Sequence, residues 1–577
     1  MTKTHSLTVR YAGGEERRGP VTMGQANMIR CMLRDEPEHI NIHDVWPVPT
    51  GTRTEEVIDA LRALVVRHEA LRTTFPHLPG EAPREQVVHS AGEFAVTVLD
   101  HPELPAESSE YADAVARLGR VERFRLDRDF GLRISLVARA GTPVFVALAA
   151  SHAVTDVRAL SVLEEDWLDL LAGRTLPPVT AFTPLDLAAE EATARGVRKS
   201  RASLRHWERI IRTEPQAMFA EPGGAEVSAE QLTLRSLRGA RALALVAERT
   251  GGLPSTVLLA AWCALVAHRA GQPVCVAAVP TSNRFLPRLA RSVNTVSQDA
   301  LLSLDLRVPS FDALVSKAWG AALNAYRHSQ FDAVLLWDMI DAVTHERGSR
   351  FARDVVFNDV SALPRTPPAD DPDGPAFEVT RGPVQVLPTR VLTFVHETAP
   401  LLRLGLWFDP ALFAPEEAEG FLAGLVRLLE AASTQDVPLS ALTEVTGVHP
   451  VERGANWLRV DGCWVSPSEV AEVLGKALGG VPVHVAPDPS DAPDTPEDEA
   501  PAGLTAFIAA GATPLSPAEA HTALLDALPG HPGVLAPGRY VIVRDAPVEA
   551  ARTSAWLGQR ILREGAGRDR RMRHDEE

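Results

Sequence analysis

The chain has 577 residues, 45% apolar and 23% charged, which is too long for one hydrophobic core and too apolar to stay unfolded. Its net charge of −17 argues against nucleic acid or an anionic membrane as partner. Cys31, Cys263, Cys275 and Cys463 are dispersed without a C-x-x-C, so no metal site and no disulfide framework is expected, and a reducing cytoplasmic setting fits.

The opening MTKTHSLTVRYAGG has no apolar signal core, and no run approaches the roughly 18 apolar residues a membrane helix needs. TEEVIDALRALVVRHE places Val57, Leu61, Leu64 and Val65 on one helical face. LRTTF and FAVTVLD read as strands, EYADAVARLGRVERF as a helix, RISLVARAG and PVFVALAAS as strands, and VRALSVLEEDWLDLLAG as a helix ending at Gly173. A linker rich in Pro and Thr follows at 174–184.

Beyond it, two helices flank a Gly-Gly-Leu-Pro break (ARALALVAERT, then STVLLAAWCALVAHRAG) and the strand PVCVAAVP follows. Strands are expected in DVVFNDV, VLTFVHE and LLRLGLWFD, a loop at 364–375, and a long helix in PEEAEGFLAGLVRLLEAA. After Gly447 the texture changes: a strand, a turn and a helix opened by SPSE, then an acidic, Pro-rich insert at 487–503, then strand, helix and strand again. The basic tail at 567–574 is expected to be a solvated terminus. The fold class is therefore α/β in three parts: 20–180, 181–447 and a small module at 448–565.

One stretch raises a chemical question. LAASHAVTDVRAL ends an apolar run at Ser151-His152, meets Asp156 four residues later, and then turns helical. A neutral imidazole at the end of a buried strand suits a general base, because its pKa lies near working pH. The plain alternative is a packed histidine followed by an Asp N-cap contributing about 1 kcal/mol.

Several motifs, in order, resemble the condensation domains of nonribosomal peptide synthetases. VVRHEALRTTF is similar to the family's RHEALR-T-F signature, and VTMGQANMIRCMLRDEPEHINI to its opening motif. ERFRLDRDFGLRISLVAR resembles F-x-L-x-x-G-P-L-x-R, with Arg133 in the Arg position. SHAVTDV lies where the family carries H-H-x-x-x-D-G. HWERII with Trp207, PTSNRFLPRLARSVNTV, RHSQFDAVL and LRLGLWFDPALF resemble later motifs. The resemblance implies two chloramphenicol-acetyltransferase-like lobes facing each other across a tunnel. It also implies that His152 is the base or positions the nucleophile, and that Asp156 pairs with Arg284 to hold the loop.

Two departures stand out: Ser151 replaces the family's first His, and Val157 replaces the Gly after the Asp. Val157 adds bulk beside the site and disfavours positive φ. Asn294 falls in the VNTV motif; a structural role is expected for it, as for His328 and Asn358, and His396 reads as a packed or edge residue.

WLRVDGCWVSPSEVAEVL resembles the start of the C-terminal subdomain of acyl-adenylating enzymes. No lysine follows Lys476 where that subdomain carries its catalytic one, and the ATP-binding portion is missing, so an active ligase is not expected. ALGGVP has Val481 and Pro482 where a carrier protein needs its Ser, and no G-x-S-x-G or P-loop is found. The resemblance thus implies a free-standing condensation enzyme in natural-product biosynthesis. It would move an acyl or aminoacyl group from a phosphopantetheine thioester, supplied by an acyl or peptidyl carrier protein, to a small-molecule amine or, in a variant of the same reaction, a hydroxyl. It would bind no cofactor of its own. The alternatives are a CoA-dependent O-acyltransferase and a non-catalytic module that recruits carrier proteins.

Overall fold

The computed structural model describes residues 3–104, 109–223, 226–361, 375–488, 503–511, 514–531 and 533–567. All but the ends of the loop expected at 364–375, the acidic insert at 487–503 and the basic tail at 567–574 lie outside the described residues.

The first lobe is built on a mixed sheet ordered Lys3–Ala12, Ala91–Asp100, Leu132–Arg139, Thr142–Ala150, Ile42–Pro47. Thr142–Ala150 is buried without interruption from Phe145 onward because neighbours cover both its edges and both its faces, which is why its sequence runs apolar instead of alternating. The edge strand Lys3–Ala12 pairs along its whole length with Ala91–Asp100. Only Val9 and Tyr11 of that strand are buried, too few to announce it in the sequence. LRTTF is mostly not a strand: Glu69–Arg72 is a tight helical turn, and only Thr73–Thr74 extends, in a small sheet with Glu85–Val88 and Arg17–Pro20. The helix expected through Phe124 stops at Gly119.

The second lobe carries a seven-stranded mixed sheet ordered Gln298–Asp305, Val274–Thr281, Val355–Asp359, Val391–Glu397, Leu402–Phe408, Val227–Ser236, Glu378–Leu387. The helix Pro254–Ala270 is apolar on every side and lies inside this lobe's core, its Trp262 indole donating to Thr393 Oγ1 at 2.9 Å. The adjoining helix Leu237–Thr250 meets it at 104°, and among the described residues no single helix is long and apolar enough to cross a membrane.

The third part has its own core. A hairpin, Leu458–Val460 with Cys463–Val465, precedes a four-stranded sheet ordered Val483–Pro487, Leu504–Ala509, Arg539–Val543, Ile561–Gly565. Ser466 and Ser516 cap the helices Pro467–Ala477 and Pro517–Ala527. This module is fastened to the second lobe. Trp464 Nε1 donates to Gly271 O at 2.9 Å, Arg347 pairs with Asp461 at 2.7 Å, and Arg453 pairs with Glu221 at 2.7 Å while lying over Trp464.

Candidate active site at the junction of the lobes

The strand Thr142–Ala150 ends where the helix Val157–Leu171 has not yet begun, and residues 151–156 make the turn between them. Ser151 shapes that turn. It is buried, its N–H donates to Gly131 O at 2.9 Å, and its carbonyl accepts from Val154 N at 3.1 Å. Its hydroxyl accepts from Ala153 N at 3.3 Å. Ser151 therefore holds the backbone of the turn.

His152 is half-buried, and its Nδ1 lies 2.8 Å from the carbonyl oxygen of Thr155. A carbonyl only accepts, so Nδ1 carries the proton and the lone pair sits on Nε2. Thr295 Oγ1 stands 3.4 Å from the same Nδ1. Burial pushes the imidazole pKa below its ordinary value, and the negative charge of Asp156 opposes this more weakly. The result is a neutral, oriented imidazole whose Nε2 has no hydrogen-bond partner among the described residues.

Asp156 is the N-cap of Val157–Leu171, accepting from Ala159 N at 2.8 Å. The same carboxylate takes the Arg284 guanidinium at 2.7 Å, Val296 N at 3.1 Å and the Ser297 hydroxyl at 3.3 Å. Helix cap and inter-lobe anchor are thus one residue. Arg284 also donates to the carbonyls of Leu289, Ser292 and Asn294, at 2.6, 2.7 and 3.2 Å. It is aimed by Asn283, which sits at φ 55° and holds Val296 O and Ser329 O through its amide. Asn tolerates that left-handed conformation better than most residues.

Val157 overturns the expectation of backbone conflict. It is the first residue of a helix, it has no positive φ, and the residue is 39% exposed. A valine fits there without strain.

The structure thus gathers Ser151, His152, Asp156, Val157, Arg284 and the Asn294 backbone into one junction. The Asn294 side chain is fully buried, with neither amide atom hydrogen-bonded. His328 belongs elsewhere: its Nδ1 meets Asn324 O at 2.8 Å and its ring stacks on His206 at 4.8 Å. His396 stacks on Phe394 within a strand, and Asn358 lies in the neighbouring one. The sequence reading missed Thr295 and Val296, although they follow Asn294 directly in the quoted motif, and Ser297, which lies one residue beyond it. It also missed Gly24, where a Cβ would lie 2.3 Å from Thr295 O; glycine there lets the helix Met23–Arg34 seat on this segment.

The profile of the condensation domain matches residues 20–446. The chain belongs to the condensation-domain family. Among curated proteins it is similar to a linear gramicidin synthase of Brevibacillus parabrevis, 27% identical over 52% of this chain and 4% of that one. The chain thus spans a small fraction of that relative's length. Among solved structures it resembles the SgcC5 protein of Streptomyces globisporus (TM-score 0.56, 20% identity, 73% of this chain and 100% of that one). It also resembles the X-domain solved in complex with OxyB from teicoplanin biosynthesis (TM-score 0.56, 19% identity, 75% and 97%). These likenesses bear out the expected chloramphenicol-acetyltransferase-like α/β fold of the condensation family.

Proposed function

We propose that the chain condenses an acyl or aminoacyl thioester, carried on the phosphopantetheine arm of a carrier protein, with a small-molecule amine. The observation that carries this reading is the state of His152: Nδ1 is committed to Thr155 O, Nε2 is free, and the loop is anchored through Asp156. As the amine nitrogen attacks the thioester carbonyl, Nε2 takes its proton. When the tetrahedral intermediate collapses, the C–S bond breaks, the amide C–N bond remains, and the imidazolium returns the proton to the departing thiolate. Asp156 and Arg284 act as positioning residues. The pantetheine arm comes from the partner, and the reading assigns no metal or nucleotide to these steps. A hydroxyl acceptor would use the same base and give an ester.

A non-catalytic recruitment role is the second reading, favoured by Ser151 standing where the family has its first His. Its hydroxyl is spent on the turn, as that role would allow.

We read the module after 447 as a relic of an acyl-adenylating subdomain that now serves as a fixed cap. The Trp464, Arg453 and Arg347 contacts with the second lobe support a fixed placement over a swinging one.

The test is intact-protein mass spectrometry of a loaded carrier protein from the same gene neighbourhood, incubated with this chain and a pool of amines and alcohols. Unloading to an amide supports the proposal. Binding without unloading across the pool favours recruitment.

A further inference from the structure

A cavity of about 590 Å³ opens where all three parts of the chain meet. The helix Met23–Arg34 lends Arg30 and Leu33, the second lobe lends Trp337 and Phe351, and the C-terminal module lends Leu528 and Pro529. Neither His152 nor the residues hydrogen-bonded to it line this space. Its volume falls within the roughly 300–1,000 Å³ typical of small-molecule sites.

Its charge is lopsided. Five guanidinium groups border it: Arg30, Arg34, Arg350, Arg353 and Arg390. Four are matched by carboxylates that do not line the cavity. Arg34 pairs with Asp35, Arg350 with Asp341 at 2.9 Å, Arg353 with Asp299 at 2.5 Å, and Arg390 with Asp409 at 2.8 Å. Arg30 is different. Its guanidinium carbon stands 4.7 Å from the centre of the Trp337 ring, and no ion pair holds it among the described residues. The one acidic lining residue is Asp354, which accepts from Phe219 N at 2.9 Å and which burial pushes up to about 7. The cavity therefore presents an uncommitted cation, pre-oriented on an aromatic face, above an apolar wall.

We propose that this cavity binds a small organic acid, a carboxylate joined to an aromatic or similarly flat apolar body. Arg30 is the anion contact, Trp337 and Phe351 take the apolar body, and the C-terminal module closes the third side through Pro529. The module thereby acquires a role that its missing ligase chemistry does not supply. The site is separate from His152, so the proposal does not depend on the transfer reaction.

Calorimetric titration of the full chain with 3-phenylpropionate and indole-3-acetate, and with their primary amides, tests it. Both acids are expected to bind at or below about 1 mM, and each amide about tenfold or more weaker, as loss of a charged hydrogen bond implies. Arg30→Gln should bring the acids to the level of the amides, and Trp337→Ala should weaken both. Pro529→Glu, at an exposed position of the module, should weaken the acids and spare the amides. His152→Ala, whatever it does to transfer, should leave the affinities for acid and amide unchanged. Equal binding of acid and amide, an unchanged affinity in Arg30→Gln, or no binding of either acid at millimolar concentration would each overturn the proposal.

Discussion

The Asp156 carboxylate, 1% exposed, meets the Arg284 guanidinium, 6% exposed, at 2.7 Å across the boundary between the two lobes. Every acceptor position on that carboxylate is used, by one helix N–H of its own lobe and three donors of the other. A charge so enclosed is tolerable only with its partner present. Asp156→Ala and Arg284→Ala should each cost about 3–5 kcal/mol in urea unfolding, and the double variant clearly less than the sum. Additive losses would show that the pair does not couple the lobes.

The pH dependence follows from His152. Burial lowers its pKa in the folded chain, while the unfolded chain titrates near 6.5. Below about 6.5 the unfolded chain takes up a proton that folded His152 resists. The stabilising contribution is thus complete above that value and is lost as pH falls toward the folded pKa. Activity should likewise keep its neutral base below pH 6.5, so the acid limb of kcat/KM should fall under that value. An acid limb at 7 or higher would contradict this environment.

Val157→Gly restores the residue that the family pattern carries. Because Val157 already has helical backbone and is itself 39% exposed, the change should lower stability by roughly 0.5–1 kcal/mol and leave turnover within about threefold. A large gain in turnover would show that valine bulk restricts the site.

The module is held close enough at one point to test its seating. A Cβ on Gly533 would lie 2.0 Å from Ala220 O, so Gly533→Ala must push the module off the second lobe or distort its own loop. Limited proteolysis between 447 and 458 should accelerate severalfold in this variant. Unchanged cleavage would show that the contact does not fasten the module.

The sequence made the site's parts legible unevenly. His152, Asp156 and Arg284 could be found because ordered motifs frame them, and the buried central strand announces itself by an unbroken apolar run. Lys3–Ala12 could not, because an edge strand with two buried side chains has almost no periodic signal. Thr295, Val296 and Ser297 act largely through backbone position or a single short hydroxyl, which leaves little trace in residue type. Asn283 needed the structure, since its role is a left-handed turn that aims its neighbour. The dual duty of Asp156, cap and anchor at once, was split in the sequence into two competing readings. At Val157 no conflict arises for a local reason: it is the first residue of the helix that Asp156 caps, and its backbone has no positive φ.

The free Nε2 of His152 is the feature on which the proposed chemistry turns. The measurement that tests it is the rate at which wild type and His152→Ala unload an acylated carrier protein onto the amine acceptor, followed by mass spectrometry, with folding of the variant verified by its melting curve. Loss of a positioned base should lower that rate by about 10²- to 10⁴-fold while carrier binding is retained. A folded His152→Ala chain that transfers the acyl group at the wild-type rate would contradict a catalytic role for this histidine.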